Sequence, residues 1–118
     1  MKILVCEDDV MLSKGIEFRL KKEGYEITCV ENGKEAMEIL ENNEFNLIIT
    51  DMLMPYSNGL ELIDFVRTKQ KMDTPIIVLS RVGDSTTVVE AFKMGANDYV
   101  TKPFSPEELI LRSKRLIS

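Results

Sequence analysis

Histidine is absent from all 118 residues. That removes imidazole as a general base, metal ligand or phosphoryl carrier, so any such chemistry must run on carboxylates, hydroxyls and lysines. Cysteine is nearly absent: Cys6 and Cys29 fall inside apolar strand patterns, read as small buried side chains, and lack the spacing of a disulfide framework or zinc site. A reducing compartment, the cytoplasm, is the expected location. No apolar run exceeds about five residues, where a membrane span needs roughly 20. The N-terminus enters a strand pattern at once, so no secretory signal is expected either. Internal repeats, low-complexity tracts and the glycine-rich lysine loop of nucleotide hydrolases are also missing.

The balance of charge is −5, which argues against this segment gripping nucleic acid through its backbone. The local basic run of Arg112, Lys114 and Arg115 reads as the surface of a terminal helix. With 44% hydrophobic and 30% charged residues, the length fits one domain with its own core and is too short for two.

Five strand patterns alternate with five helical ones. Strands are expected at about 2–6, 26–30, 46–50, 75–79 and 98–101, and helices at about 10–22, 33–42, 60–69, 84–94 and from 106 onward. Pro55, Asn58 and Gly59 mark a turn after the third strand, Gly95 a left-handed helix end, and Ser105, Pro106 and Glu108 a capping box. Short βα units on continuously apolar strands predict a parallel α/β sheet, doubly wound and covered on both faces through right-handed crossovers.

Polar residues gather at the ends of those strands. Glu7, Asp8 and Asp9 follow the first strand, Asp51 the third, Ser80 the fourth, and Lys102 with Pro103 the fifth. If the first and third strands are neighbours, their carboxylates converge at the carboxyl edge of the sheet, where repulsion demands a shared cation. A Mg²⁺ site follows, with Mn²⁺ as an alternative ion. Asp8 is the first choice of ligand, Glu7 binds directly or through water, and the carbonyl of Leu53 completes the shell, while Asp9 caps the first helix. Asp51, at a mouth expected to be exposed, suits nucleophilic attack on a phosphoryl donor; Ser80 and Lys102 suit hydrogen bonding and charge neutralisation of that group. A proline after Lys102 allows a cis bond that turns the lysine toward the site. Each residue alone also fits a cap, a turn or a solvated surface.

Taken together, Cys6 to Asp9, Asp51 to Pro55 with Gly59, Ile76 to Ser80, and Asp98 to Phe104 resemble the receiver domain of CheY-like bacterial two-component response regulators. The resemblance covers essentially the whole chain. It implies a flavodoxin-like (βα)₅ three-layer sandwich with strand order 2-1-3-4-5. It also implies Asp51 as acceptor of phosphoryl from a histidine kinase, a phosphotransfer protein or a small acyl phosphate, with Glu7 and Asp8 as the acidic metal pair. Ser80 and Lys102 would sense and stabilise the phosphoryl group, and Tyr99 would be the rotating aromatic of the switch.

Such a domain catalyses its own phosphorylation and dephosphorylation without being a conventional turnover enzyme. Residues 1–118 would then be the N-terminal part of a longer regulator or a stand-alone receiver, acting on an output domain or a downstream protein. The face of the fourth helix, fifth strand and fifth helix would change on phosphorylation and support a homodimer, with Val88 and Phe92 as apolar contacts and Arg112 and Arg115 as polar rim.

Some residues depart from the family pattern. Arg81 stands where a small residue is usual, and Met94 and Asn97 replace two acids of the dimer face. Arg81 could contact phosphate, hinder closure of Ser80 or face solvent. Leu53 and Val82, at positions the resemblance links to lifetime, cannot orient water by hydrogen bonding and imply slow dephosphorylation. A haloacid-dehalogenase-like phosphatase is excluded by the missing Asp-x-Asp, and a flavodoxin by acids where its phosphate loop belongs. The remaining alternative is a receiver-like interaction module that is never phosphorylated.

Overall fold

The structure is a computed structural model and describes residues 1–53, 58–81 and 83–117. Pro55 and Val82, invoked above as turn and lifetime residues, lie outside the described residues. The chain runs β1 (Lys2–Cys6), α1 (Val10–Lys22), β2 (Glu26–Val30), α2 (Gly33–Leu40), β3 (Leu47–Asp51), α3 (Gly59–Asp64), β4 (Ile76–Arg81), α4 (Ser85–Met94), β5 (Asp98–Lys102) and α5 (Pro106–Ile117). All five strands are parallel in the order β2-β1-β3-β4-β5, the doubly wound arrangement.

Strand alternation builds a core on each face of the sheet. Ile3, Val5, Leu47, Ile49, Ile77, Leu79 and Val100 point toward α1 and α5, meeting Ile16, Leu20, Leu109 and Ile110. Leu4, Cys6, Ile48, Ile76 and Val78 point to the other side, meeting Ala36, Leu40, Leu62, Ile63 and Ala91 from α2, α3 and α4. Edge strand β2 departs from the expected continuous burial, and Cys29 on it is exposed, since only β1 flanks that strand.

Helix starts follow their capping residues. Asp9 Oδ1 accepts from Leu12 N at 3.2 Å, Asn32 Oδ1 from Glu35 N at 2.9 Å and Asn58 Oδ1 from Glu61 N at 2.9 Å. Ser105 Oγ accepts from Glu108 N at 3.2 Å, but the Glu108 carboxylate turns to Arg112, so only half of the expected capping box forms.

The sequence pattern predicted one regular helix over 60–69, whereas α3 gives way to a π-helical turn at Phe65–Lys69, closed by Gln70 N donating to Phe65 O at 2.9 Å. Arg67 on this turn donates to Gly95 O from Nε and Nη2 at 3.2 and 2.9 Å, to Met72 O at 2.8 Å and to Asn97 Oδ1 at 3.0 Å. Gly95 ends α4 at φ +121°, and a Cβ there would lie 2.8 Å from Arg67 Nε. Gly95→Ala is therefore expected to cost about 1–3 kcal/mol, read as a lower urea midpoint with an unchanged slope. Arg67→Ala in the same chain should relieve the contact but not the backbone strain.

Candidate functional site

Register brings the site together. Cys6 lies opposite Thr50 on adjacent β1 and β3, so the next residues, Glu7 and Asp51, are neighbours, while Glu7 N extends the pairing of β1 with β2 by donating to Val30 O at 3.0 Å. Glu7 and Asp51 thus emerge side by side, on the α1–α5 side by strand alternation. Lys102 emerges from β5 with the same alternation as Val100 and reaches back over β4. Its Nζ donates to Glu7 Oε1 at 2.9 Å and to Asp51 Oδ2 at 3.0 Å. The Lys102–Pro103 peptide is cis, the isomer that a proline at this position allows.

Glu7 and Asp51 are each 1% exposed. Asp51 is thus not the exposed group anticipated at a strand mouth; Lys102 binds the carboxylate, and the following Met52 is buried in the core on the opposite face. Met52 N donates to Asp51 Oδ1 at 2.8 Å, so both carboxylate oxygens are held. Gly59 packs so closely that a Cβ would lie 2.7 Å from the backbone oxygen of Asp51. This close approach explains the glycine at a position where the backbone φ imposes no such requirement.

Asp8 is exposed, but its carboxylate joins those of Glu7 and Asp51 with ligand oxygens all within 4.8 Å of one another. The chemistry fits a hard divalent cation. Glu7 Oε2 is buried without a hydrogen-bond partner, a cost that a metal–oxygen bond removes. Burial pushes the Glu7 carboxyl up to about 7; Lys102 opposes the rise and Asp51 adds to it.

The two residues expected to act as a switch lie toward the other face. Ser80 is buried, with Oγ 3.5 Å from both Val100 O and Thr101 Oγ1, pointing along the β5 side. Tyr99 is 42% exposed and packs edge-on against Phe92 with ring centroids 5.9 Å apart. Arg81 is exposed, and its backbone N–H donates to Asp84 Oδ2 at 2.8 Å.

Of the expected interface residues, Phe92 and Arg115 are exposed, while Val88 is buried and is removed from the available surface. Arg112 is held within the chain by both Asp98 oxygens at 3.0 Å and by Glu108 at 3.3 Å. Asp98, bracketed by the arginines of α5, was not singled out as a site residue. Its signal in the sequence was an acid beginning β5 and facing basic positions on α5.

A family model described as the response regulator receiver domain matches residues 3–114. The chain belongs to the receiver domain family. It is 40% identical over 117 residues to the transcriptional regulatory protein CrdR of Helicobacter pylori, covering 99% of this chain and 55% of CrdR. Response regulator RR06 of Streptococcus pneumoniae is also 40% identical over 117 residues, with 99% of this chain and 53% of RR06 covered. The receiver domain of the Francisella response regulator 1452 superposes with a TM-score of 0.90 at 36% identity, covering 98% of this chain and 95% of that one.

The chain spans about half the length of the curated relatives it matches. As a receiver domain it is a phosphorylation-dependent switch, and the Glu7, Asp8 and Asp51 triad is its Mg²⁺ cluster. Family membership implies kinase or phosphotransfer partners. Among the described residues no helix is long and apolar enough to cross a membrane.

The raised Glu7 pKa gives the receiver a defined pH response. The folded chain holds this proton more tightly than the unfolded chain, so the metal-free domain loses stability as pH rises from about 4.5 through about 7. Mg²⁺ requires the carboxylate, so its affinity rises over the same window. The Mg²⁺-induced increase in Tm is expected to be larger at about pH 8 than at about pH 5.5, and Glu7→Gln should flatten that difference. An equal increase at both pH values in the parent chain would contradict the coupling.

Proposed function

We propose that Asp51 is the phosphoryl acceptor and that residues 1–118 form one receiver unit, either the N-terminal part of a longer regulator or a stand-alone switch. The observation that carries this reading is the convergence of three carboxylates, bridged by Lys102 Nζ, at one end of the sheet. An oxygen of Asp51 attacks the phosphorus of a phosphohistidine or small acyl phosphate. The P–O bond to aspartate forms as the bond to the donor breaks, and the departing group takes the electron pair.

Glu7, Asp8, Asp51 and the carbonyl of Leu53 would hold Mg²⁺ or Mn²⁺, which would neutralise charge on the transferred group. Lys102 gives up Asp51 Oδ2 and pairs with a phosphoryl oxygen instead. Ser80, whose Oγ contacts among the described residues are at 3.5 Å, turns from Val100 and Thr101 to donate to another. The space it leaves draws Tyr99 inward from its exposed position against Phe92 and alters the surface of α4, β5 and α5.

That surface is our proposed output, to a downstream protein, an output domain or a second copy of the chain. Its apolar centre is Phe92 with Val89 and Tyr99, and Arg115 lies on its rim. Arg112 is already engaged by Asp98, and Met94 and Asn97 supply no acid for it across a dimer, so an interface here relies more on apolar contact than on exchanged ion pairs.

With acetyl phosphate and Mg²⁺, the intact mass should increase by one phosphoryl group. Asp51→Asn should abolish the gain, whereas Asp8→Asn should slow it and weaken metal binding by at least about tenfold. Full modification of Asp51→Asn would overturn the assignment, and no modification of the parent chain would favour a phosphorylation-independent interaction module. Leu53, 54% exposed and unable to hydrogen bond, is expected to shield the acyl phosphate from water. Leu53→Asn should then dephosphorylate faster, by roughly 3- to 10-fold, in a phosphate-release assay.

A further inference from the structure

Two apolar grooves open between helices, and their charged borders differ. The groove between α1 and α5 has borders that satisfy one another: Arg19 pairs with Glu107 at 3.1 Å and Lys114 with Glu23. The groove between α2, α3 and α4, of about 480 Å³, has more acids than bases among its described lining residues. Its floor is Met37, Leu60, Phe65 and Met94, half-buried side chains that carry the α2–α4 core out to the surface.

Acids share the helix faces that form this floor. Glu61 lies one turn before Phe65, Asp64 one turn after Leu60, and Glu90 one turn before Met94, so each carboxylate borders an apolar contact. Asp64 and Glu90 make no ion pair among the described residues. Lys69 is the one base among the described lining residues. Five glutamates and a single lysine between Glu31 and Glu44 give the α2 region a charge of −4, most of the −5 on the whole chain.

We propose that this groove docks a cationic amphipathic helix of a partner protein. The partner's apolar stripe meets Met37, Leu60, Phe65 and Met94, and its lysines or arginines face Glu61, Asp64 and Glu90. A helix presents such a stripe at every third or fourth residue, and unbranched methionines adapt to side chains of different shape. Acidic helices and nucleic acid backbones are repelled by the same carboxylates. A merely solvated acidic surface has no use for an apolar floor spanning three helices.

The probe is a synthetic peptide of about 14 residues with leucine and methionine on one helical face and lysine on the other. It is titrated against the full chain carrying Asp51→Asn, so the result does not depend on phosphorylation. Amide NMR shifts are expected to cluster at Met37, Leu60, Phe65 and Met94, and affinity should fall as salt is raised. Glu90→Lys and Asp64→Lys, both at exposed positions, should each weaken binding about tenfold while circular dichroism is unchanged. A peptide of identical composition with its apolar residues scattered around the helix should bind more weakly by a similar factor. Shifts centred on the α1–α5 groove, diffuse shifts, equal binding of the scattered peptide, or indifference to both charge reversals would each overturn the proposal.

Discussion

The fold's functional end depends on one ammonium group shared by two buried carboxylates. Glu7 and Asp51 issue from adjacent strands and are almost inaccessible to water, an arrangement that repulsion and desolvation both oppose. Lys102 makes it tenable, and it comes from β5, across the intervening β4. The ion pair therefore constrains the sheet as well as the chemistry, because edge strand and centre must keep their stagger for the lysine to reach. Counting Asp8, the formal charge of the cluster is −2 when all three acids are ionised, which a divalent cation balances. A phosphoryl dianion upsets that balance again, so further donors must be brought toward it.

Strand parity decides which donors are available. Glu7, Asp51 and Lys102 continue the side-chain alternation that faces α1 and α5, while Ser80 continues that of Ile76 and Val78, facing the α2–α4 side. Tyr99, alternating against Val100, shares that orientation and contacts Phe92 of α4. The carboxylates with their lysine and the pair Ser80 and Tyr99 thus occupy opposite pleats of the same sheet edge. Ser80 contacts β5 at Val100 and Thr101, apart from the carboxylates that Lys102 holds.

Much of this was legible in the sequence, for physical reasons that can be named. Acids and a lysine directly after apolar strand patterns interrupt the core-forming run and collect at the strand ends, and the Asp9 and Ser105 caps announce themselves by residue type. The π-helical turn was not legible, since Phe65 to Lys69 has the same composition as a regular helix and the extra residue is fixed only by tertiary contacts. Nor was the burial of Asp51 or Val88, or the exposure of Cys29. Each depends on which neighbour covers the position: Lys102 over Asp51, helix packing for Val88, and the lack of a second flanking strand for Cys29. Asn97 was read as the loss of an interfacial acid, whereas its Oδ1 accepts from both Ile76 N and Arg67 Nη2.

Arg67 and Gly95 also bear on how this sequence can drift. The guanidinium occupies the volume that any side chain at position 95 would claim, and the glycine carbonyl is what the guanidinium holds. Losing the arginine makes room but leaves a backbone conformation that still favours glycine; losing the glycine displaces an arginine that has two other acceptors nearby, Met72 O and Asn97 Oδ1. The two constraints are thus unequal, one residue holding a contact and the other a backbone conformation. The glycine should therefore outlast the arginine as the sequence drifts, because the backbone demands it with or without the guanidinium.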